Sequence, residues 1–475
     1  MAQEFKPGMC VIGADAGGFF LAAGAAALDV PTVLIDKGPM GADWYKKAGF
    51  VPVKALLAAA ERAHAVRNSG PFGMNMPRVG VDFSAVMEHV NEVIDAVAPN
   101  SSRARIGGLG VGVIPGEARF TDPETVAVGD FIIKADRFVI ATGSSPFIPA
   151  LPGLLDTPHF TSETICTLTE CPRHLIVIGA GSVGLALAQA FRRLGAEVTV
   201  LEAAAPLANH DRECVAVVLD ALAREGVKLR TEVEITKVGR ALSKVLVEFA
   251  AGGDVETIEG SHLLIATGRR PNLDGLELEA AGIRHDPRGI AVDDNLRTTN
   301  KRVYALGDVT GGPKFAHVST YHAGLVIRHA LFRLPAKVNP LAVPWVTSTD
   351  PEIAEVGLRE HDARAKHGAI RVLRWPYREN DRAQAERTTR GHVKIITNRK
   401  GDILGVTIVG AQAAENIGVW TLAISQKLKI DALANLVAPY PSYTEMGKYA
   451  ALTFYSRGLT SARVRRIIAW LRRRG

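Results

Sequence analysis

Two stretches of the chain share one pattern of apolar and polar positions. In the first, the apolar run Met9-Cys10-Val11-Ile12 enters a glycine-rich turn and an Ala/Leu-rich stretch, and Val33-Leu34-Ile35-Asp36 closes it. In the second, Leu175-Ile176-Val177-Ile178 leads through another glycine turn and Ala/Leu-rich stretch to Val198-Thr199-Val200-Leu201-Glu202. Unbroken apolar runs bounded by turn residues predict strands buried on both faces, as in parallel sheets. Each segment therefore reads as strand, tight turn, crossover helix and second strand. The closing acid falls 23 positions after the first glycine both times, since 36 − 13 and 202 − 179 are equal. An α/β fold with two dinucleotide-binding units is expected.

Residues 145–172 are rich in Pro, Ser and Thr and read as the crossing between two domains. After Asn339 to Pro344, strands are predicted at Trp345–Thr347, Ile370–Leu373, Val393–Ile396 and Ile403–Val409, with helical periodicity over Asn416–Gln426. The expected organisation is a first nucleotide domain from 1–150 and 271–344, a second from 151–270, an α+β module over 345–460 and a basic tail over 461–475. In the tail, Val464, Ile467, Ile468 and Leu471 recur at helical spacing, with Trp470 adjacent and Arg463, Arg465, Arg466, Arg472, Arg473 and Arg474 around them. The simpler expectation is a terminal helix packed on a dimer, its basic end solvated. The other is a helix lying on an anionic membrane surface.

Length changes little in this picture, since 475 residues ask for about three domains. The net charge of +7 gathers in the tail, and zinc-finger spacing and an aromatic-rich basic patch are both missing, so no nucleic-acid partner is expected. Four cysteines, Cys10, Cys166, Cys171 and Cys214, suit a reducing compartment better than a disulfide-stapled secreted chain. The start MAQEFKPG lacks the pattern of a signal peptide, and Asp15, Asp29 and the glycines interrupt the apolar stretch 10–35. A cytoplasmic protein is expected.

The two turns differ at one position. Gly179-Ala180-Gly181-Ser182-Val183-Gly184 has the full G-x-G-x-x-G spacing. Its glycines allow a tight turn, close approach of backbone to a diphosphate, and helix–strand packing, while the helix N-terminus attracts the anion. Glu202 stands where an acid bonds an adenosine ribose and repels a 2′-phosphate, which favours NAD over NADP. Gly13-Ala14-Asp15-Ala16-Gly17-Gly18 has Asp15 in place of the second glycine. Either the turn is left-handed there and tolerates Asp, or a crowding Cβ and a repelling carboxylate weaken binding.

Six further motifs follow in order: Ala141-Thr142-Gly143, Ala266-Thr267-Gly268-Arg269-Arg270-Pro271-Asn272, Tyr304-Ala305-Leu306-Gly307-Asp308-Val309, Thr349-Asp350-Pro351-Glu352, Glu379-Asn380-Asp381-Arg382-Ala383 and Ile403-Leu404-Gly405. Over nearly its whole length the chain resembles the pyridine nucleotide-disulfide oxidoreductases, the group of dihydrolipoamide dehydrogenase, glutathione reductase and mercuric reductase. The resemblance implies two Rossmann-like domains, FAD under the first turn, NAD(H) under the second, and a C-terminal α+β domain that forms a homodimer. It places Asp36 on the FAD ribose, Asp308 on the ribityl chain, Ala118 on the adenine side, Ala316 on the isoalloxazine side and Lys54 beside flavin N5. It also counts Lys37, Val233, Gly268, Arg269 and Gly307 among the cofactor-binding positions.

The chain departs from that family where the chemistry happens. A C-x-x-x-x-C pair is expected after the first unit, and residues 41–54 hold no cysteine. Anchored on the left, Trp44 takes the first cysteine's place; anchored on Pro52-Val53-Lys54, Tyr45 and Phe50 take the two places, in a segment one residue longer than the pattern. Cys166 and Cys171 have the right spacing but lie in the interdomain crossing, as small semi-buried thiols. The family's acid–base histidine becomes Tyr440, as in mercuric reductases, five residues ahead of Glu445. A tyrosine with a pKa near about 10 is a poor base at neutral pH. Lys54 is kept, partly buried, while its usual glutamate partner becomes Ala186.

Lys54, Tyr440 and Glu445 are the candidate catalytic residues, and no metal site is expected. The expected activity is an FAD-dependent NADH oxidoreductase working without a redox disulfide, passing electrons to a small-molecule acceptor such as a quinone, oxygen, a metal ion or a second nicotinamide. The alternative is a non-catalytic nucleotide- or partner-binding relative.

Overall fold

A computed structural model describes residues 3–75, 80–242, 244–459 and 462–473. The two repeats fold into two five-stranded parallel sheets. The first is ordered Val303–Ala305, Arg137–Ile140, Met9–Ile12, Thr32–Asp36, Gly112–Pro115. The second runs Phe160–Thr161, His262–Ile265, His174–Ile178, Glu197–Glu202, Lys228–Thr231. In each, the strand entering the glycine turn is central and the strand ending in the acid lies beside it. Met9, Cys10, Val11, Leu175, Ile176 and Val177 are fully buried, as strands covered on both faces must be.

The first crossover helix, Ala16–Ala26, is apolar nearly all round because it is itself sandwiched. Glycines let it close on the helix Ala316–Ala330: a Cβ at Gly17 would stand 2.7 Å from the Ser319 carbonyl oxygen. Smaller sheets flank both, antiparallel except where Gln3–Phe5 runs parallel to Phe131–Ile133. Gln3–Phe5, Phe131–Ile133, Thr125–Val128 and Arg119–Asp122 form one set, and Glu234–Ala241, Lys244–Ala251 and Asp254–Gly260 the other.

The C-terminal module is a five-stranded antiparallel sheet in the order Trp345–Thr347, Glu352–Gly357, Ile403–Gly410, His392–Asn398, Ile370–Pro376. It carries the helices Ala413–Ser425 and Thr444–Leu459. All four expected strands are present, with Glu352–Gly357 in addition. Buried charge joins this module to the second nucleotide unit. Lys394 contacts Asp211 at 2.7 Å, Glu360 at 2.9 Å and Glu213 at 3.2 Å.

The tail forms a helix over Ala462–Leu471, with Ile467, Ile468, Trp470 and Leu471 about half exposed in the protomer. Ser461, the Arg463 side chain, Arg474 and Gly475 lie outside the described residues. Among the described residues no helix is long and apolar enough to cross a membrane.

Candidate functional site

The two glycine turns are built alike. Gly13 has φ +104° and Gly179 φ +109°, and a Cβ on either would stand about on top of a neighbouring backbone, 2.2 Å from the Ala141 oxygen or 2.4 Å from the Ala266 oxygen. These contacts explain why an Ala-Thr-Gly motif accompanies each turn. The first turn's helix packs through Gly18, the second's through Gly184, where a Cβ would meet the Gly13 or Gly179 oxygen at 2.0 or 2.1 Å. Each acid is tied to its turn. Asp36 accepts from the Ala14 N–H at 2.7 Å and the Gly38 N–H at 2.7 Å; Glu202 accepts from Ala180 at 2.6 Å and Ala204 at 2.9 Å.

The backbone at Asp15 corrects one reading of the damaged turn. Its φ of −65° and ψ of 178° are extended, nearly the −77° and −179° of Gly181, so the left-handed reading is wrong. Nor does the protein itself crowd a Cβ at this turn position, since one built at Gly181 meets nothing within 4 Å. The carboxylate itself occupies the turn. Asp15 Oδ1 accepts the Gly18 N–H at 2.8 Å and caps the helix, and Oδ2 lies 3.4 Å from the Ser319 hydroxyl. Burial, together with the nearby Asp308 carboxylate, pushes the Asp15 pKa up to about 7.

Below the first turn lies a cleft of ≈ 420 Å³. Gly13, Asp15, Asp36, Lys37, Ala118, Ala141, Thr142, Gly143, Arg269, Asp308 and Ala316 line it, while Gly17, Gly18 and Gly307 are buried at its turns. Trp44 and Phe50 line it as well. Tyr45 turns away, its hydroxyl accepting from Ser101 at 3.0 Å. Left-handed Gly49 breaks the segment into the helices Ala42–Ala48 and Phe50–Arg67.

Ser144, Ser319, Glu163 and Asn272 belong to the site although the sequence reading did not single them out. Ser144 donates to Asp308 at 2.6 Å and accepts from Arg269 at 2.8 Å, and Arg269 pairs with Glu163 at 2.7 Å. Burial pushes the Asp308 carboxyl upward. Asn272 donates to the Thr142 carbonyl at 2.9 Å, and Thr142 donates back at 2.8 Å. The signal for Ser144 was its place directly after Ala141-Thr142-Gly143; that for Asn272 was the Arg-Pro-Asn that ends the second motif.

The family described as pyridine nucleotide-disulphide oxidoreductase matches residues 8–323, and its dimerisation domain matches residues 343–451. The chain belongs to this family. It is 36% identical over 449 residues to a mercuric reductase of Bacillus cereus, covering 94% of this chain and 71% of that one. It is 32% identical over 451 residues to a dihydrolipoyl dehydrogenase of Geobacillus stearothermophilus, covering 93% and 94%. Among solved structures, the HOCl-induced flavoprotein disulfide reductase RclA of Escherichia coli, as its Cu(II) complex, aligns with a TM-score of 0.83 at 26% identity, over 94% of this chain and 99% of that one. LpdA of Mycobacterium tuberculosis aligns with a TM-score of 0.84 at 28% identity, over 94% and 99%.

Members of this family use FAD and NAD(H). The first cleft fits FAD at both ends, with Asp36 at one and Asp308 and Ser144 at the other; Asp15 alone is out of keeping with a diphosphate. Around the second turn, Gly181 leaves its helix N-terminus without a side-chain cap, and Val183 is exposed there. Ser182 instead bonds Thr347 at 2.7 Å. Val233 is buried in the core and reaches the site only through its N–H, bonded to the Glu202 carbonyl at 3.2 Å. Gly268, with φ +112°, lies between the strand His262–Ile265 and the strand Arg269–Pro271.

Lys54 and Tyr440, two of the candidate catalytic residues, do not line the cleft of the protomer. Lys54 is exposed in the protomer, not partly buried, and does not line the cleft; its charge is felt by Glu352. Its helix turns Ala55 and Leu56 inward and so leaves Lys54 outward. Tyr440 is 72% exposed and donates to Asp381 at 2.7 Å, which raises its pKa. Glu445 is buried and accepts the Ser442 N–H at 3.1 Å, bracing the turn that presents Tyr440. Cys10 and Cys214 are buried, and burial raises the Cys171 thiol and pushes Cys166 up to about 12.

Proposed function

We propose that this chain is an FAD-dependent NADH oxidoreductase that delivers electrons to a non-thiol acceptor. The observation that carries it is that Trp44 and Phe50 line the cleft from the segment 41–54, in which the family resemblance expects two cysteines and none occurs. No cysteine lines that cleft among the described residues, and burial keeps Cys166 and Cys171 protonated at neutral pH. When bound, FAD would accept a hydride from the nicotinamide and release electrons one or two at a time.

The chain's own part is binding and orientation. Glu202 and the open N-terminus after Gly181 would seat the NADH adenosine and diphosphate. Asp36 would hold the FAD ribose, and Asp308, oriented by Ser144, the ribityl hydroxyls. Trp44 and Phe50 give the acceptor side flat apolar surface, which suits a quinone best among the acceptors considered. Tyr440, its proton held toward Asp381, is fit to donate a hydrogen bond and unfit to serve as a base.

We take the dimerisation domain to form a homodimer, the cysteine usage to fit the cytoplasm, and the basic tail helix to pack on the dimer, with an anionic membrane surface as the alternative. The test is turnover of the FAD-loaded protein with NADH: a benzoquinone or ferricyanide should be reduced, and lipoamide or oxidised glutathione should not. Appreciable lipoamide reduction would overturn the proposal. Asp15 favours a second reading, a non-catalytic nucleotide- or partner-binding relative. A protein that takes up no FAD would support that one.

A further inference from the structure

The molecule contains its own control for the first turn. Two crossover helices start from turns of the same geometry, 166 residues apart by 179 − 13. At the third turn position one has Gly181 and no side-chain cap, the other Asp15 and a carboxylate bonded to the Gly18 N–H at 2.8 Å. The N–H groups at such a helix start, with the dipole behind them, are what draws a diphosphate. In the first unit the chain has already placed an anion there.

We propose that the Asp15 carboxylate is a resident anion in the diphosphate seat of the first site, so that FAD enters by displacing it and takes up a proton in doing so. This rests on the reading of the first cleft as the FAD site.

The surroundings leave an ionised Asp15 little support once a diphosphate arrives. From the segment after Val303–Ala305 it faces Asp308, itself bonded to Ser144 and influenced by Arg269 and Lys314. From the helix Ala316–Ala330 it faces Ser319; His322 on that helix accepts the Gly307 N–H at 3.2 Å and is kept neutral by burial, its pKa lowered to about 4. From the closing strand comes Asp36, already bonded to Ala14 and Gly38. From its own helix come only the N–H groups of Gly17 and Gly18. Two further carboxylates therefore border the seat, and a diphosphate adds more negative charge at short range. Protonation removes the conflict, and with Asp15 already raised to about 7 it costs little near neutrality.

The test is FAD binding to the apoprotein, read by quenching of flavin fluorescence in EDTA buffer, with no turnover involved. Wild type should bind FAD more weakly as pH rises, approaching tenfold in Kd per pH unit above about pH 7. Asp15→Asn keeps a cap but removes the charge, and Asp15→Gly restores the second turn's residue. Both should bind FAD at least about tenfold more tightly than wild type at about pH 8 and lose the pH slope. NADH binding at the second site should be the same in all three, which also reports that the variants fold. Equal affinity and slope in all three proteins would overturn the proposal, as would failure of Asp15→Gly to take up FAD. A loaded protein that binds FAD as expected yet fails to oxidise NADH would defeat the proposed activity and leave this inference standing.

Discussion

Glu202 accepts the Ala180 N–H at 2.6 Å, which ties the acid ending one strand to the turn ending its neighbour. The carboxylate is thus fixed at the rim of the second turn before any nucleotide arrives. NADH should be preferred over NADPH, and Glu202→Ala should lower kcat/KM for NADH by about tenfold, the equivalent of ~1.4 kcal/mol, while narrowing the preference. Initial rates with the two nucleotides check this; an unchanged ratio would remove Glu202 from the specificity determinants.

Trp44 and Phe50 should act on the acceptor and not on the nicotinamide. Trp44→Ala and Phe50→Ala should each lower kcat/KM for a benzoquinone by about three- to tenfold, the scale of one lost aromatic contact. The rate at which NADH bleaches the flavin under anaerobic stopped flow should stay the same. A fall in that rate would move these side chains to the hydride-transfer half of the reaction.

The cysteines should be dispensable. The double variant Cys166→Ala, Cys171→Ala should keep NADH oxidation within about twofold of wild type, because thiols held protonated by burial neither attack nor resolve. Loss of turnover in a folded double variant would contradict the thiol-independent route.

Acid should loosen the second nucleotide unit from the C-terminal sheet. Arg374 above all, and Lys394 after it, hold the Glu213 carboxyl down to about 2 against its ordinary 4.5. A depressed folded pKa means that its stabilisation is full above the unfolded value and lost as pH falls from about 4.5 toward 2. Urea midpoints measured across that window should fall less steeply for Glu213→Gln than for wild type. Lys394→Met, which strands buried Asp211 without its partner, should cost ~3 kcal/mol or more at neutral pH.

The repeat, both acids and most strands of the C-terminal module were legible because period and motif record them directly. Glu352–Gly357 was not singled out: its first residue closes the Thr349-Asp350-Pro351-Glu352 motif, and the Asp-Pro ahead of it obscures where a strand begins. The antiparallel strands beside each sheet, such as Glu234–Ala241, alternate burial only partly and gave no clean period. The alternatives at residues 44–50 could not be settled from sequence, because a left-handed Gly49 is needed to put Trp44 and Phe50 in one cleft. Lys54 was misjudged for a related reason: which face of the helix Phe50–Arg67 turns inward depends on what packs against it. At Asp15 the residue type was informative, but whether its carboxylate reaches the Gly18 N–H depends on a backbone conformation that spacing does not encode.

The most direct measurement is an anaerobic titration of the FAD-saturated protein with NADH, followed in the visible spectrum. One NADH per flavin should bleach the absorption fully, without a lasting long-wavelength thiolate-to-flavin band, because no disulfide shares the electrons. Uptake of two NADH per flavin, with such a band persisting at the halfway point, would mean that a thiol pair takes part and would contradict a thiol-independent flavoprotein.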